Sequence, residues 1–329
     1  MIHDIKGYTN FLKFYNSIGN KENIFYIFFS HGMLLWLKKI KEFIPQSLNT
    51  VYIAAAMNHY EKSWINEHIN CPVFFAESLN SDQQIWNWLI LANEKDFGWI
   101  DIDCYVFNPK LFLEITHYQS DCIFNCFWSS NTNRNYIMPH TFFVYININA
   151  IKAVRKAFPG LLPCIYSYGP DSENSIQISS EYAHNIQTLV PIGEYLVPED
   201  ASNSLPFFDT LYFFTLHSIL LGYKVNSIRS LPLISYEAAH IGNSSYFTNN
   251  LQSIAKFNYE NTNKLLMFYY YAMKDLVEDM PLFYKHQIEY LFNKLDVQNT
   301  YERHTEQLKE IFGECFDRLF GYEVKYDKL

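Results

Sequence analysis

Between Asn23 and Phe107, short apolar runs rich in β-forming residues alternate with stretches of helical periodicity. A chain that reads this way builds βαβ units around a mostly parallel sheet. Ile24 to Phe29 is an apolar, aromatic run that stops at Ser30-His31-Gly32, and Leu34 to Phe43 then reads as an amphipathic helix ended by Pro45. The strand signal returns from Thr50 to Ala56 and breaks at Asn58, a helix follows from Tyr60 to His68, and Val73 to Phe75 is a third strand ending at Glu77-Ser78. An Asn80/Ser81 cap opens a helix through Trp88, and a fourth strand is predicted over Gly98 to Phe107. After Pro109 the pattern gives a helix over Lys110 to His117 and apolar runs through Trp128 and from Thr141 to Ile146.

Residues 167–203 are polar and broken by Gly169, Pro170, Pro191, Gly193 and Pro198, which suits a loop segment that covers a substrate. Thr210 to Leu221 reads as a helix ended by Gly222, with a short strand over Tyr223 to Ile228. From Thr262 to Phe320 helical periodicity dominates, interrupted at Pro281. The expected organisation is an α/β core over residues 1–250 and a helical C-terminal extension over 251–329, whose aromatic face is a candidate for homo-oligomer contacts.

Charge narrows the function. The chain carries 25 Lys+Arg against 34 Asp+Glu, a formal net charge of -9, and no basic tract, so neither nucleic acid nor an anionic membrane surface is an expected partner. An acidic chain that handles a phosphorylated ligand needs a metal ion. The six cysteines have no paired CxxC rhythm, and Cys122 and Cys126 lie in an apolar run where they read as small hydrophobes. No apolar run reaches membrane-spanning length and the first residues lack a secretory pattern, so a soluble, cytoplasmic protein is expected. A glycine-rich phosphate loop, a GxSxG elbow and an HExxH helix are all missing from the sequence.

The strongest chemical signal is Asp101-Ile102-Asp103. Alternate residues of a strand share a face, so two carboxylates at a strand end can offer oxygens to one hard cation. The apolar lead-in of Phe97, Trp99 and Ile100 makes the spot costly for two charges without a cation or donors. The alternative is that these aspartates cap a turn before Asn108-Pro109. Because ligands of open α/β sheets bind at the carboxyl ends of strands, Ser30, Asn58, Glu77 and Asp101 are expected neighbours there, able to meet the edge of a nucleotide base or its sugar. Trp128, like Phe29 and Trp88, could stack on base or sugar, with core packing as the alternative reading.

The run Phe97-Gly-Trp-Ile-Asp-Ile-Asp-Cys-Tyr-Val-Phe-Asn-Pro109 resembles the DxD strand of GT-A glycosyltransferases. That resemblance implies a GT-A-like core in which Mn2+ or Mg2+ bridges the motif to the diphosphate of a nucleotide sugar, a UDP-sugar first among the donors. Asp103 is then the more direct cation ligand, and Asp101 meets the metal, ribose or sugar. Cys104 is a mild departure from that pattern. Phe207-Phe208-Asp209, followed by a helix and by Leu221-Gly222-Tyr223-Lys224-Val225, resembles the acidic acceptor-site motif of the same superfamily. Asp209 is thereby the candidate catalytic base, with an N-cap of the following helix as its other reading. His240-Ile-Gly-Asn-Ser-Ser245 resembles the segment that supplies a third metal ligand, which implies His240 in that role. A metal-dependent glycosyltransferase acting on an acceptor hydroxyl or other nucleophile follows. The rivals are a nucleotidyltransferase on a related fold and a non-catalytic binding protein on a degenerate transferase fold.

Overall fold

A computed structural model describes residues 4–77, 82–131, 137–159, 161, 210–229, 235–242, 244 and 260–321. Helix α1 (Ile5–Ser17) starts where the Asp4 carboxylate accepts the Gly7 N–H, and it leads to β1 (Ile24–Ser30) and α2 (Leu34–Ile40), which tightens into a 3-10 turn through Phe43. Next come β2 (Thr50–Ala55), α3 (His59–His68), β3 (Val73–Ala76), α4 (Asp82–Ala92) and β4 (Phe97–Asp101). The chain continues through β5 (Cys104–Val106), α5 (Leu111–Glu114), β6 (Cys122–Cys126), β7 (Ser129–Asn131), β8 (Ile137–Pro139), β9 (Phe143–Ile146) and α6 (Ile148–Ala157). The remainder is α7 (Tyr212–Leu220), β10 (Lys224–Ser227), β11 (Ala238–His240), α8 (Glu260–Met273), α9 (Leu282–Lys294), α10 (Val297–Phe312) and α11 (Phe316–Phe320).

The fold is α/β, with a mostly parallel seven-stranded sheet in the order β10-β6-β9-β4-β1-β2-β3 flanked by helices, and with helices at the C-terminal end. The β1, β2 and β3 pairings are parallel, as is β10 with β6, while β9 runs antiparallel to β6. By internal contacts the chain falls into two compact units.

One unit comprises Ile24–Asn80, Gly98–Thr116 and Arg229–Leu329. Strands β1 and β2 are buried along nearly their whole length, as their continuous Val/Ile/Phe-type runs require, and β3 is buried at alternate residues. Register places Ser30 level with Ala55 and Ala55 level with Ala76, so three strand ends come to one edge. Within this unit the C-terminal helices are part of the core. Phe268 of α8 stacks on Trp36 of α2, lies 5.9 Å from Tyr105 of β5, and packs edge-on against Phe320 of α11. Gly98 is obligatory on packing grounds, because a Cβ there would sit 2.3 Å from the Phe25 ring.

The other unit comprises Met1–Asn23, Ser81–Phe97 and His117–Ile228. Phe11 of α1 stacks on Trp88 of α4 at 6.0 Å, and Phe214 of α7 meets Phe124 of β6 edge-on. Asp96 accepts from the Ile148 N–H at the start of α6 and from the Tyr118 hydroxyl. Cys122 and Cys126 are buried, with their thiols turned to the carbonyls of Phe124 and Asn226, in keeping with small hydrophobes rather than ligands. Among the described residues no helix is long and apolar enough to cross a membrane.

Candidate metal centre

The sequence predicts one strand from Gly98 to Phe107, with pleating aligning the two aspartates. The structure corrects this: β4 ends at Asp101, residues Ile102 and Asp103 form a turn, and β5 leaves to pair antiparallel with β11 in a separate two-stranded sheet. The turn has a physical cause, since the Asp103 carbonyl accepts the Ile241 N–H and one carboxylate oxygen accepts the Ser244 N–H at 3.3 Å. The carboxylates therefore approach each other around a corner rather than along a pleat.

That corner also brings in His240. In the β11–β5 ladder His240 lies opposite Cys104, and its Nε2 is 3.3 Å from Asp103 Oδ1 and 3.6 Å from Asp101 Oδ2. The three ligand atoms all lie within 4.8 Å of one another. Adjacent ligands on an octahedral cation with bonds of about 2.1 Å stand roughly 3 Å apart, so the cluster fits one divalent ion with little adjustment. The remaining oxygens are occupied in ways that orient the first pair, with the Trp99 indole N–H on Asp101 Oδ1 at 2.6 Å and the Ser244 amide on Asp103 Oδ2.

Electrostatics agrees with a cation-binding role. Asp103 is 3% exposed, and this burial pushes its carboxyl up, but the His240 imidazole and the Ser244 donors outweigh it and hold the group below its ordinary value. For His240 burial works downward, yet Asp103 and then Asp101 raise it above the usual imidazole range. Two carboxylates around one imidazole leave an excess negative charge in a shielded place, and a divalent ion with a neutral imidazole removes it.

A polar clamp fixes the strand that carries His240. Arg229 donates from both Nε and Nη2 to the Glu237 carboxylate, at 2.5 and 3.1 Å, and from Nη2 to Glu114 at 2.7 Å. Asn108 Nδ2 donates to the same Glu237 carboxylate, while the Phe107 and Asn108 amides donate to the Glu237 carbonyl. Arg229 and Glu237 escaped the sequence reading because nothing in their local pattern marks them; their further partners, Glu114 and Asn108, are remote in the chain.

Ser30 closes β1 with its hydroxyl toward Met33 Sδ, and exposed Glu77 follows β3. Asn58 is the N-cap of α3 in a full capping box with Glu61. These three lie at the carboxyl edge of β1, β2 and β3. Trp128 belongs to the other unit and stacks on His140 at 4.2 Å. Asp209 lies outside the described residues.

The same edge holds a residue the sequence reading passed over. Glu61, buried at the start of α3, accepts the His31 Nδ1–H at 2.6 Å, the Tyr284 hydroxyl at 2.5 Å, and the amides of Gly32 and Asn58 at 2.9 and 3.0 Å. Burial alone would raise its carboxyl, and these donors bring it below the ordinary value instead.

Residues 2–151 match the family model of the StrH glycosyltransferase N-terminal domain, a span that contains Asp101 and Asp103 and stops short of His240. Among solved structures, a cytidylyltransferase from Leptospira borgpetersenii serovar Hardjo-bovis (strain JB197) is similar at 12% identity over 61% of this chain and 94% of that chain, with a TM-score of 0.28. No curated protein matches. The matched stretch, under half of the chain, is thus similar to a glycosyltransferase domain, and a transferase is the class of protein it fits.

Proposed function

We propose that this protein moves a sugar from a nucleotide-sugar donor, a UDP-sugar first among candidates, to an acceptor hydroxyl, with Mn2+ or Mg2+ held by Asp101, Asp103 and His240. The supporting observation is the convergence of these side chains on one point at the carboxyl end of β4, two of them inside the glycosyltransferase-related stretch. A bound divalent ion supplies neutralisation of the charge that develops on the leaving diphosphate. The chain's own part is to hold the ligand atoms in place: Trp99 and Ser244 each restrain one carboxylate, and β11 delivers the imidazole. In this reading Ser30, Asn58 and Glu77, at the ends of their strands, meet base or ribose. If transfer inverts configuration, Asp209 takes the acceptor proton as the new bond forms.

The test is a thermal-shift series with UDP, GDP, CDP and TDP sugars, each with and without Mn2+, on the wild-type chain and on Asp103→Asn. Stabilisation by at least one donor that needs the metal, and that Asp103→Asn abolishes while remaining folded, is the expected result. Metal-independent behaviour of every donor, or an Asp103→Asn chain indistinguishable from wild type, ends the proposal.

A further inference from the structure

The edge formed by the ends of β1, β2 and β3 carries a polar group that the metal cluster does not use. His31 directly follows the last residue of β1, where parallel register gathers the strand ends. Its Nδ1 is bound to Glu61, whose side chain is 1% exposed, whereas the His31 side chain is 33% exposed. A carboxylate only accepts, so Nδ1 carries the proton and the ring is fixed in one orientation. That leaves Nε2 as the ring atom able to meet a ligand. Phe283 of α9 stacks on the imidazole at 5.7 Å, and its neighbour Tyr284 reaches past to Glu61 and accepts the Leu34 amide.

A buried carboxylate supplied with this many donors is a costly way to hold one helix, and simpler apolar packing would do that job. What it adds is an imidazole whose Nδ1–H is fixed on a carboxylate, at the place in such sheets where ligands bind, in a chain of net charge -9. We propose that His31 donates from Nε2 to a phosphate oxygen of the bound ligand, and that α9 is the element that positions it, through Phe283 on the ring and Tyr284 on Glu61. The Glu61 hydrogen bond raises His31 above the usual imidazole range, with burial opposing more weakly, which favours the charged donor. The proposal deepens the sugar-transfer reading and rests on it for the ligand's class: the oxygen belongs either to the donor's diphosphate or to a phosphomonoester on the acceptor.

The experiment follows the imidazole nitrogens of the full chain by 15N NMR, with His31 assigned by the resonance missing from His31→Gln. Probes are UDP with Mg2+, glycerol phosphate, and uridine with Mg2+. Expected is a saturable shift of His31 with UDP or with glycerol phosphate, identifying the source, and none with uridine. His31→Gln should weaken the effective phosphate probe tenfold or more, and Tyr284→Phe by less, with uridine binding unchanged in both. A His31 signal indifferent to both phosphates overturns the proposal, as does an equal loss of UDP and uridine in His31→Gln. Asp103→Asn separates the two readings: UDP binding that ignores this change while His31 still responds sinks the metal assignment and leaves the imidazole assignment standing.

Discussion

Glu61 and Asp103 are both shielded from solvent, and each is kept ionised by a different arrangement. Glu61 sits among two backbone amides, a phenol and an imidazole, while Asp103 has the amide and side chain of Ser244 and the His240 ring. The distinction predicts separate responses to acid. His31 is raised in the folded chain, so its contribution to stability is fully present below the unfolded imidazole value and is lost as pH rises through the folded value. Glu61 is lowered, so its contribution is present above the unfolded carboxyl value and is lost as pH falls through the folded value. In denaturant titrations the deficit of His31→Gln against wild type should be widest between those limits, in the mildly acidic range, and should close toward alkaline pH. A deficit that is flat from acid to base would mean the His31–Glu61 contact carries no charge.

At the scale of elements, the centre depends on β11, a strand of only Ala238–His240. So short a strand has little register of its own, and the Arg229–Glu237–Asn108 clamp at its start supplies it. Arg229→Gln should therefore lower Mn2+ affinity by about 10- to 100-fold, the usual effect of losing a group that orients ligands, with little change in nucleoside binding. Electron paramagnetic resonance titration of free Mn2+ measures this directly, and unchanged affinity would show that β5 pairing alone places His240.

β1, β2 and β3 were legible because each is a bounded run of apolar, β-forming residues. The break after Asp101 was not, since it is imposed by contacts from Ile241 and Ser244, far along the chain. Helices α1 and α6 were missed as well. The first buries only Phe11 and Tyr15 among polar neighbours, and the second starts at an Asn147 cap directly after a strand. Asp101, Asp103 and His240 were found through motif order, whereas His31 and Glu61 gain meaning only once α3 and α9 are packed.

Across the whole molecule, the helices after residue 260 share a compact unit with β1, β2, β3 and β5. Phe268 and Tyr269 of α8 meet Trp36, and Tyr284 completes the donors around Glu61. A chain shortened to end before Glu260 would uncover those aromatic faces and deprive a buried carboxylate of one partner, at a cost of about 1–3 kcal/mol for that group alone. Such a protein should collect in the insoluble fraction; a soluble, cooperatively melting product would show that the remainder folds unaided. The tail is thus a wall of the building rather than a porch, and anyone trimming this protein for study has to keep the helices through Phe320.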